Sequence, residues 1–208
     1  MTPIALGFRA GRGGSVVVGV AADRELTRVV LSTFLATAAE GDRLAFEPYQ
    51  VAYEMPRGDG VGPTAEAAAA VAEGRRRQAA LAATGLAAVL DRLQSEGFRT
   101  GVAALLINRA GWMTDLLEHS LSAPEHPPVA EGLAVRAALR AAFAGVGLDV
   151  VEMDEKSLRE SAALKLPLAS GQIEIQLKAL GATAGRPWRK EQKAACLAAW
   201  LTLAAPEG

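Results

Sequence analysis

The sequence predicts an α/β domain built on a mixed five-stranded sheet with helices on both faces. Residues 4–37 contain three apolar runs separated by turn residues, which indicates strands joined by hairpins. From residue 63 onwards, helical periodicity alternates with two short apolar runs, as in parallel strands joined by helical crossovers. Half of the 208 residues are hydrophobic, which is enough for a sizeable core. We expect residues 1–208 to form one domain with the order β-β-β-α-β-α-β-α.

Three antiparallel strands are expected first. "PIALGFRA" and "SVVVGVAA" flank the turn "GRGG", whose glycines can adopt positive φ, and "LTRVVLSTFLAT" is the third strand. The next segment, "RLAFEPYQVAYEMP", is predicted to be partly extended. Pro48 restricts it to an edge strand or a loop, because proline cannot donate to a sheet ladder.

The remaining elements alternate between helix and strand. Thr64 and Gly97 bound a predicted helix over 63–96, whose buried face has the i, i+3, i+4, i+7 spacing of Leu86, Val89, Leu90 and Leu93. Strands are expected at "GVAALLINRAG" and "LDVVEMD", and further helices at 128–146, 155–166 and 187–204. Residues 110–127 and 166–187 are predicted to be loops. The last two strands should run parallel to the first.

The composition limits the classes of function. A formal net charge of −1 gives no global field for nucleic acid, so any polyanion would need a local basic patch. The single cysteine, Cys196, cannot form an internal disulfide and is expected to be a small buried residue. With no signal-peptide pattern and no apolar run long enough to span a bilayer, we expect a cytoplasmic protein without membrane contact. No cofactor is predicted.

Two stretches, together with the element order, resemble the ribonuclease H-like fold of the Holliday-junction resolvases. "IALGFRAG" looks like their first strand, in which a hydrophobic run ends in Ile-Asp-x-Gly. "LKALGATAGRPWRKEQKAACLAAWLTL" looks like their late Lys…Gly…Lys-Glu-Gln segment and the following helix. The resemblance covers most of the chain in architecture.

The resemblance also implies carboxylates on the first strand, the fourth strand and the last helix, which hold divalent metal in the resolvases. This chain has Arg9 on the first strand, Asn108-Arg109 at the end of the fourth, and Lys193, Ala194 and Ala195 on the last helix. Because two-metal hydrolysis needs hard oxygen ligands, we predict no metal site and no metal-dependent nuclease activity.

The carboxyl ends of the parallel strands are the main candidate site, since ligands of open α/β sheets collect there. This rim should gather Arg9, Gly11, Asn108, Arg109, Asp154 and Glu155. Two guanidinium groups suit a phosphate or a carboxylate. Alternatively, the arginines pair with Asp154 and Glu155 in a structural network, which the balance of charges favours.

Two secondary candidates lie elsewhere. His126 and Glu131 could perform acid–base work, or could be a loop histidine and a glutamate favoured by a helix dipole. Arg186, Trp188, Arg189 and Lys190 could contact nucleic acid, or could form a charged helix start in which Trp188 anchors the segment.

The sequence therefore supports two functions. In the first, a non-catalytic or divergent ribonuclease H-like protein acts by binding a partner or nucleic acid. The alternative is a hydrolase or phosphate-handling enzyme that uses a divergent polar site at the strand carboxyl ends. A homodimer is also predicted, because Trp112, Met113, Leu116 and Leu117 follow a strand and cannot all reach the core, and because Trp188 and Trp200 could add to the same surface.

Overall fold

A mixed five-stranded sheet forms the centre of the molecule, as predicted. The computed structural model describes residues 1–23, 26–57, 62–108, 113, 115–166, 168 and 170–204. Its strands are β1 (Thr2–Gly11), β2 (Gly14–Asp23), β3 (Leu26–Ala36), β4 (Phe98–Ile107) and β5 (Asp149–Asp154), in the sheet order β3-β2-β1-β4-β5. The first three strands are antiparallel, and β4 and β5 run parallel to β1. The carboxyl ends of β1, β4 and β5 therefore share one edge of the sheet.

Alternating side chains of β1 contribute to two separate cores. Ile4, Leu6 and Phe8 belong to the core on one face, whereas Ala5 belongs to the core on the other. This is the period of two expected of a central strand, and it places layers of helices on both faces.

Helices α3 (Ala65–Ser95) and α5 (Pro127–Val146) cover the first face. The Thr64 hydroxyl accepts a hydrogen bond from the amide of Ala67 at 3.1 Å, which confirms Thr64 as the N-cap of α3. Leu86 and Leu93 are fully buried in this core, and Val89 and Leu90 pack against it. The predicted buried stripe is thus confirmed.

Helices α6 (Leu158–Lys165), α7 (Ser170–Ala184) and α8 (Lys190–Leu203) form the second layer. The last helix crosses β1 and β2 so closely that a Cβ on Gly7 would lie 1.8 Å from the carbonyl oxygen of Ala195. Cys196 is buried on this helix, and burial raises the pKa of its thiol to about 12, as for an inert apolar side chain.

The expected extended segment at 43–56 is instead helical, so that prediction was wrong. It forms α1 (Arg43–Phe46) and α2 (Pro48–Glu54). The Asp42 carboxylate accepts from the amide of Ala45 at 3.1 Å and caps α1. Pro48 occupies the first turn of α2, where a missing N–H costs nothing.

Two predicted loops also contain helices. Helix α4 (Leu116–Ser122) lies within 110–127, where Asp115 accepts from the amide of Glu118 at 2.9 Å and caps it. Helix α7 lies within 166–187. No helix in the described part of the chain is both long enough and apolar enough to cross a membrane.

Candidate functional site

Arg9 is the centre of an ion-pair network at the carboxyl ends of the parallel strands. Its Nε donates to Oε1 of Glu155 at 2.8 Å, and its Nη1 lies 3.8 Å from Oε1 of Glu191. The side chains of Arg9 and Glu155 are only 23% and 27% exposed, so solvent screens this pair incompletely. Strand β1, the end of β5 and the start of α8 each supply one charged group.

The turn after β5 holds Glu155 in place. The backbone amide of Glu155 donates to the carbonyl of Ile107 at 2.9 Å, which connects the turn to the end of β4. The Asp154 carboxylate accepts from the amide of Lys156 at 3.0 Å and stabilises the same turn. Of the predicted acids, Glu155 therefore reaches Arg9, while Asp154 supports the backbone that positions Glu155.

Asn108 is bound by a residue that the sequence analysis missed. Arg136 of α5 is buried, and it donates from Nη1 to Oδ1 of Asn108 at 3.1 Å and from Nε to the carbonyl of Leu106 at 3.3 Å. Burial lowers the pKa of Arg136. Its place in a largely apolar helix gave no sign of this contact. The predicted site residue Arg109 lies outside the described residues, and a Cβ on Gly11, at the end of β1, would meet no described residue within 4 Å.

Glu191 is the second residue that sequence reasoning missed. The residues of the last helix expected near the strand ends were Lys193, Ala194 and Ala195. Glu191 precedes Ala195 by four residues and so lies on the same helical face, one turn closer to the end of β1. The contact between Ala195 and Gly7 sets that register, and the sequence alone does not reveal it.

A cavity of about 510 Å³ adjoins this network, and we call it the basic cavity. Its charged lining consists of Glu155, Lys156, Arg159, Arg189, Lys190 and Lys193. Arg159 pairs with Glu174. Within the described ranges, no carboxylate lies within ion-pair distance of Lys156, Lys190 or Lys193. The cavity thus combines one paired acid with several unpaired cations.

Trp188 forms part of the wall of the basic cavity. Its indole N–H donates to the carbonyl of Leu177 at 2.9 Å, and its ring lies against Gly181, where a Cβ would be 2.2 Å from Cδ1 of the ring. Trp188, Arg189 and Lys190 therefore meet Glu155 at one cavity. Arg186 is exposed and does not line it.

The structure does not join His126 to Glu131. Oε1 of the buried Glu131 accepts from the amides of Tyr49 and Gln50 at 2.7 and 3.0 Å, so it caps α2 from a different helix. Burial raises the pKa of Glu131 to about 7. The His126 ring instead stacks on that of His119, with 4.0 Å between centroids.

The donor set at the strand ends does not fit a divalent metal. Within the described ranges, no three His, Cys, Asp or Glu side chains converge so that they could hold an ion. Glu155 and Glu191 both face the guanidinium of Arg9, which would repel a cation placed between them. Arg9 and Asn108 stand where the resemblance implies carboxylates.

Comparisons with known proteins show the fold. No protein-family model matches the chain, and no curated protein matches it either. The solved structure of Thermus thermophilus RuvC matches with a TM-score of 0.54 at 11% identity, over 97% of this chain and 93% of that chain. T. thermophilus RuvC in complex with a Holliday junction substrate matches with a TM-score of 0.53 at 12% identity, over 95% and 91% of the two chains. This chain therefore has a ribonuclease H-like fold with resolvase-like architecture.

Proposed function

We propose that this protein binds nucleic acid along the carboxyl ends of its parallel strands and does not cleave it by a metal-dependent route. The observation that carries the proposal is the pairing of Arg9 with Glu155 and Glu191. By the resemblance to the resolvases, Arg9 takes the first-strand position at which those enzymes need an oxygen ligand. The two acids at this edge of the sheet, Glu155 and Glu191, neutralise the charge of Arg9.

The basic cavity supplies the contacts for a phosphate backbone. Lys156, Lys190 and Lys193 are unpaired within the described ranges, and lysines of this kind bind phosphates without reading sequence. The overall charge of −1 means that attraction has to come from such a local group. One structure of similar fold holds a Holliday junction, which makes branched DNA the first ligand to test.

Fluorescence anisotropy with a four-way junction, a duplex and a single strand of related sequence tests the proposal. Reversing two cavity charges in Lys190→Glu/Lys193→Glu should weaken binding at least about tenfold, and the affinity of the wild-type protein should fall steeply with salt. The matched control is Lys165→Glu/Lys178→Glu, which changes the net charge equally at exposed positions outside the cavity. Equal loss in both variants, or no binding by the wild-type protein, would contradict the proposal.

The same DNA substrates test the absence of metal-dependent cleavage. We expect junctions to remain intact with Mg²⁺ or Mn²⁺. Metal-dependent cleavage that Asp154→Asn abolishes would instead support the alternative function, an enzyme with a divergent site at the strand ends.

A further inference from the structure

Two exposed phenylalanines line a second cavity at the same edge of the sheet. We call it the corner cavity; it has a volume of about 490 Å³ and is bounded by Phe34 of β3, Phe46 of α1 and the β1–β2 turn. Phe34 is 56% exposed and Phe46 is 41% exposed, although both are large apolar side chains that normally seek the core. Two exposed aromatic rings beside one cavity form an apolar surface of the kind on which a flat ligand can stack.

The two rings pack directly against the glycines of the β1–β2 turn. A Cβ on Gly14 would lie 2.7 Å from Cζ of Phe34, and a Cβ on Gly13 would lie 2.5 Å from Cε2 of Phe46. Both glycines have positive φ, at +157° and +74°, so the turn itself requires glycine. The guanidinium of Arg12 lies 6.0 Å from the Phe46 ring centroid. The aromatic surface is therefore held in place before any ligand arrives.

Strand pairing places Phe34 in line with the Arg9 network. Arg9 is paired with Val16 on β2, and Val16 is paired with Phe34 on β3. Directly opposed residues of neighbouring strands point to the same face, so Phe34 shares the α8 face with Arg9 at a Cα distance of about 10 Å. Glu155 reaches Arg9 from the β5 side. The corner cavity and the basic cavity thus lie on opposite sides of Arg9 along one edge.

A carboxylate at the corner cavity gives it hydrogen-bonding capacity. Glu40 is exposed, lines the cavity and has no ion-pair or hydrogen-bond partner within the described ranges. Asp42 also lines it, but its carboxylate is used by the Ala45 amide and by Arg77. Acidic side chains accept hydrogen bonds from the exocyclic amino group of cytosine.

We propose that the corner cavity binds an unpaired nucleobase of a strand whose phosphates continue to the basic cavity. Aromatic faces stack on any base, a preformed surface loses little entropy on binding, and the unpaired lysines beyond Arg9 attract the attached backbone. This inference rests on the proposed function and narrows its substrate class to nucleic acid with a single-stranded segment. Glu40 should favour cytosine over thymine, which presents no exocyclic amino group.

Variants of Phe34 test the proposal through single-strand and duplex affinities measured side by side. Phe34→Leu keeps an apolar side chain but removes the ring, so single-strand affinity should fall about fivefold to a hundredfold while duplex affinity stays unchanged. Phe34→Tyr keeps the ring and should bind as the wild-type protein does. Ile175→Ala is the control, because Ile175 is an exposed apolar residue outside both cavities. In addition, Glu40→Gln should reduce a preference for oligo-dC over oligo-dT.

The outcomes separate this inference from the proposed function. No nucleic-acid binding by the wild-type protein would defeat the proposed function itself. Wild-type binding with unchanged single-strand affinity in Phe34→Leu would overturn only the base site. Light scattering tests whether a second copy of the chain packs on Phe34 instead. If Phe34→Leu converts a dimer into a monomer and lowers single-strand and duplex affinities alike, Phe34 lies in a dimer interface and the base site is overturned.

Discussion

At the scale of single residues, Arg9 links three elements that are distant in sequence. Substituting alanine would leave Glu155 and Glu191 facing one another without their cation. Since the Arg9–Glu155 pair is half-buried, we expect Arg9→Ala to lower the free energy of unfolding by about 1–3 kcal/mol, between the values typical of exposed and buried pairs. For a chain of this size that is a fall in Tm of roughly 2–12 °C.

The control for Arg9 is Arg140→Ala, which removes a more exposed ion pair with Glu152 and should cost no more than about 1 kcal/mol. Thermal unfolding with and without inorganic phosphate distinguishes the two interpretations of the strand ends. If Arg9→Ala leaves the Tm unchanged but removes protection by phosphate, Arg9 belongs to an anion site and the structural network is disproved.

Glu131 should make the stability of the protein depend on pH. Its pKa is raised from 4.5 to about 7 because the carboxyl is buried, and its second oxygen has no hydrogen-bond partner among the residues that the structure describes. The folded state therefore binds a proton more tightly than the unfolded state. The resulting stabilisation is fully present below about pH 4.5 and is lost as pH rises from there through 7, by an amount on the order of 3 kcal/mol.

Glu131→Gln isolates this effect. The amide oxygen can still accept from Tyr49 and Gln50, and the side chain carries no charge at any pH. Urea unfolding of both proteins from pH 5 to 8.5 should show the wild-type protein losing stability relative to the variant as pH rises. A difference that does not vary with pH would contradict the prediction.

At the scale of elements, the packing of α8 on β1 depends on a glycine. In Gly7→Ala, the new Cβ would meet backbone atoms of α8, which cannot rotate away as a side chain could. We expect a loss of about 1–3 kcal/mol or more in chemical denaturation. Gly11→Ala is the matched control, because Gly11 lies on the same strand and its new Cβ would meet no described residue within 4 Å, so stability should change by less than about 0.5 kcal/mol. Equal effects of the two substitutions would mean that α8 does not approach β1 this closely.

The sequence predicted those elements whose cause is local. The strands, Thr64 as a cap and the stripe on α3 follow from alternation and spacing, and the structure confirms them. Helix α2 was missed because its cap is Glu131, which lies far along the chain and approaches only in the folded protein. Similarly, strand order predicted that Glu155 and Arg9 lie at the same edge of the sheet, with their pairing as one of two interpretations. The contact with Glu191 depends on how α8 packs, which no local pattern encodes.

At the scale of the whole molecule, the homodimer stays a prediction. Fewer of the apolar residues on which it was based are available for an interface. Trp112 lies outside the described residues, Leu116 and Leu117 pack beside α2 and α3, and the Trp188 indole is bonded to Leu177. The described surface offers the edge strand β5 instead, with exposed Val150 and Val151.

Light scattering at micromolar concentration should give a dimer mass. An antiparallel pairing of two β5 edges would cover both valines, so Val151→Lys should give a monomer. Val146→Lys changes an exposed valine at the end of α5 and should leave the mass unchanged. A monomeric wild-type protein would remove the prediction.

We also expect the chain to unfold as one domain, because β1 belongs to both cores. Ile4, Leu6 and Phe8 form the wall of one layer, while Ala5 and the bare surface of Gly7 receive α8 in the other. Losing either layer exposes the strand on which the other depends, so neither layer should be stable alone. In a Trp112→Phe background, the remaining tryptophans Trp188 and Trp200 report on the α7–α8 layer, whereas far-ultraviolet circular dichroism reports on all helices and strands. In urea the two signals should have the same midpoint and should move together in Gly7→Ala. If the tryptophan signal changes at lower urea than the circular dichroism signal, the α7–α8 layer unfolds separately and the single-domain prediction is wrong.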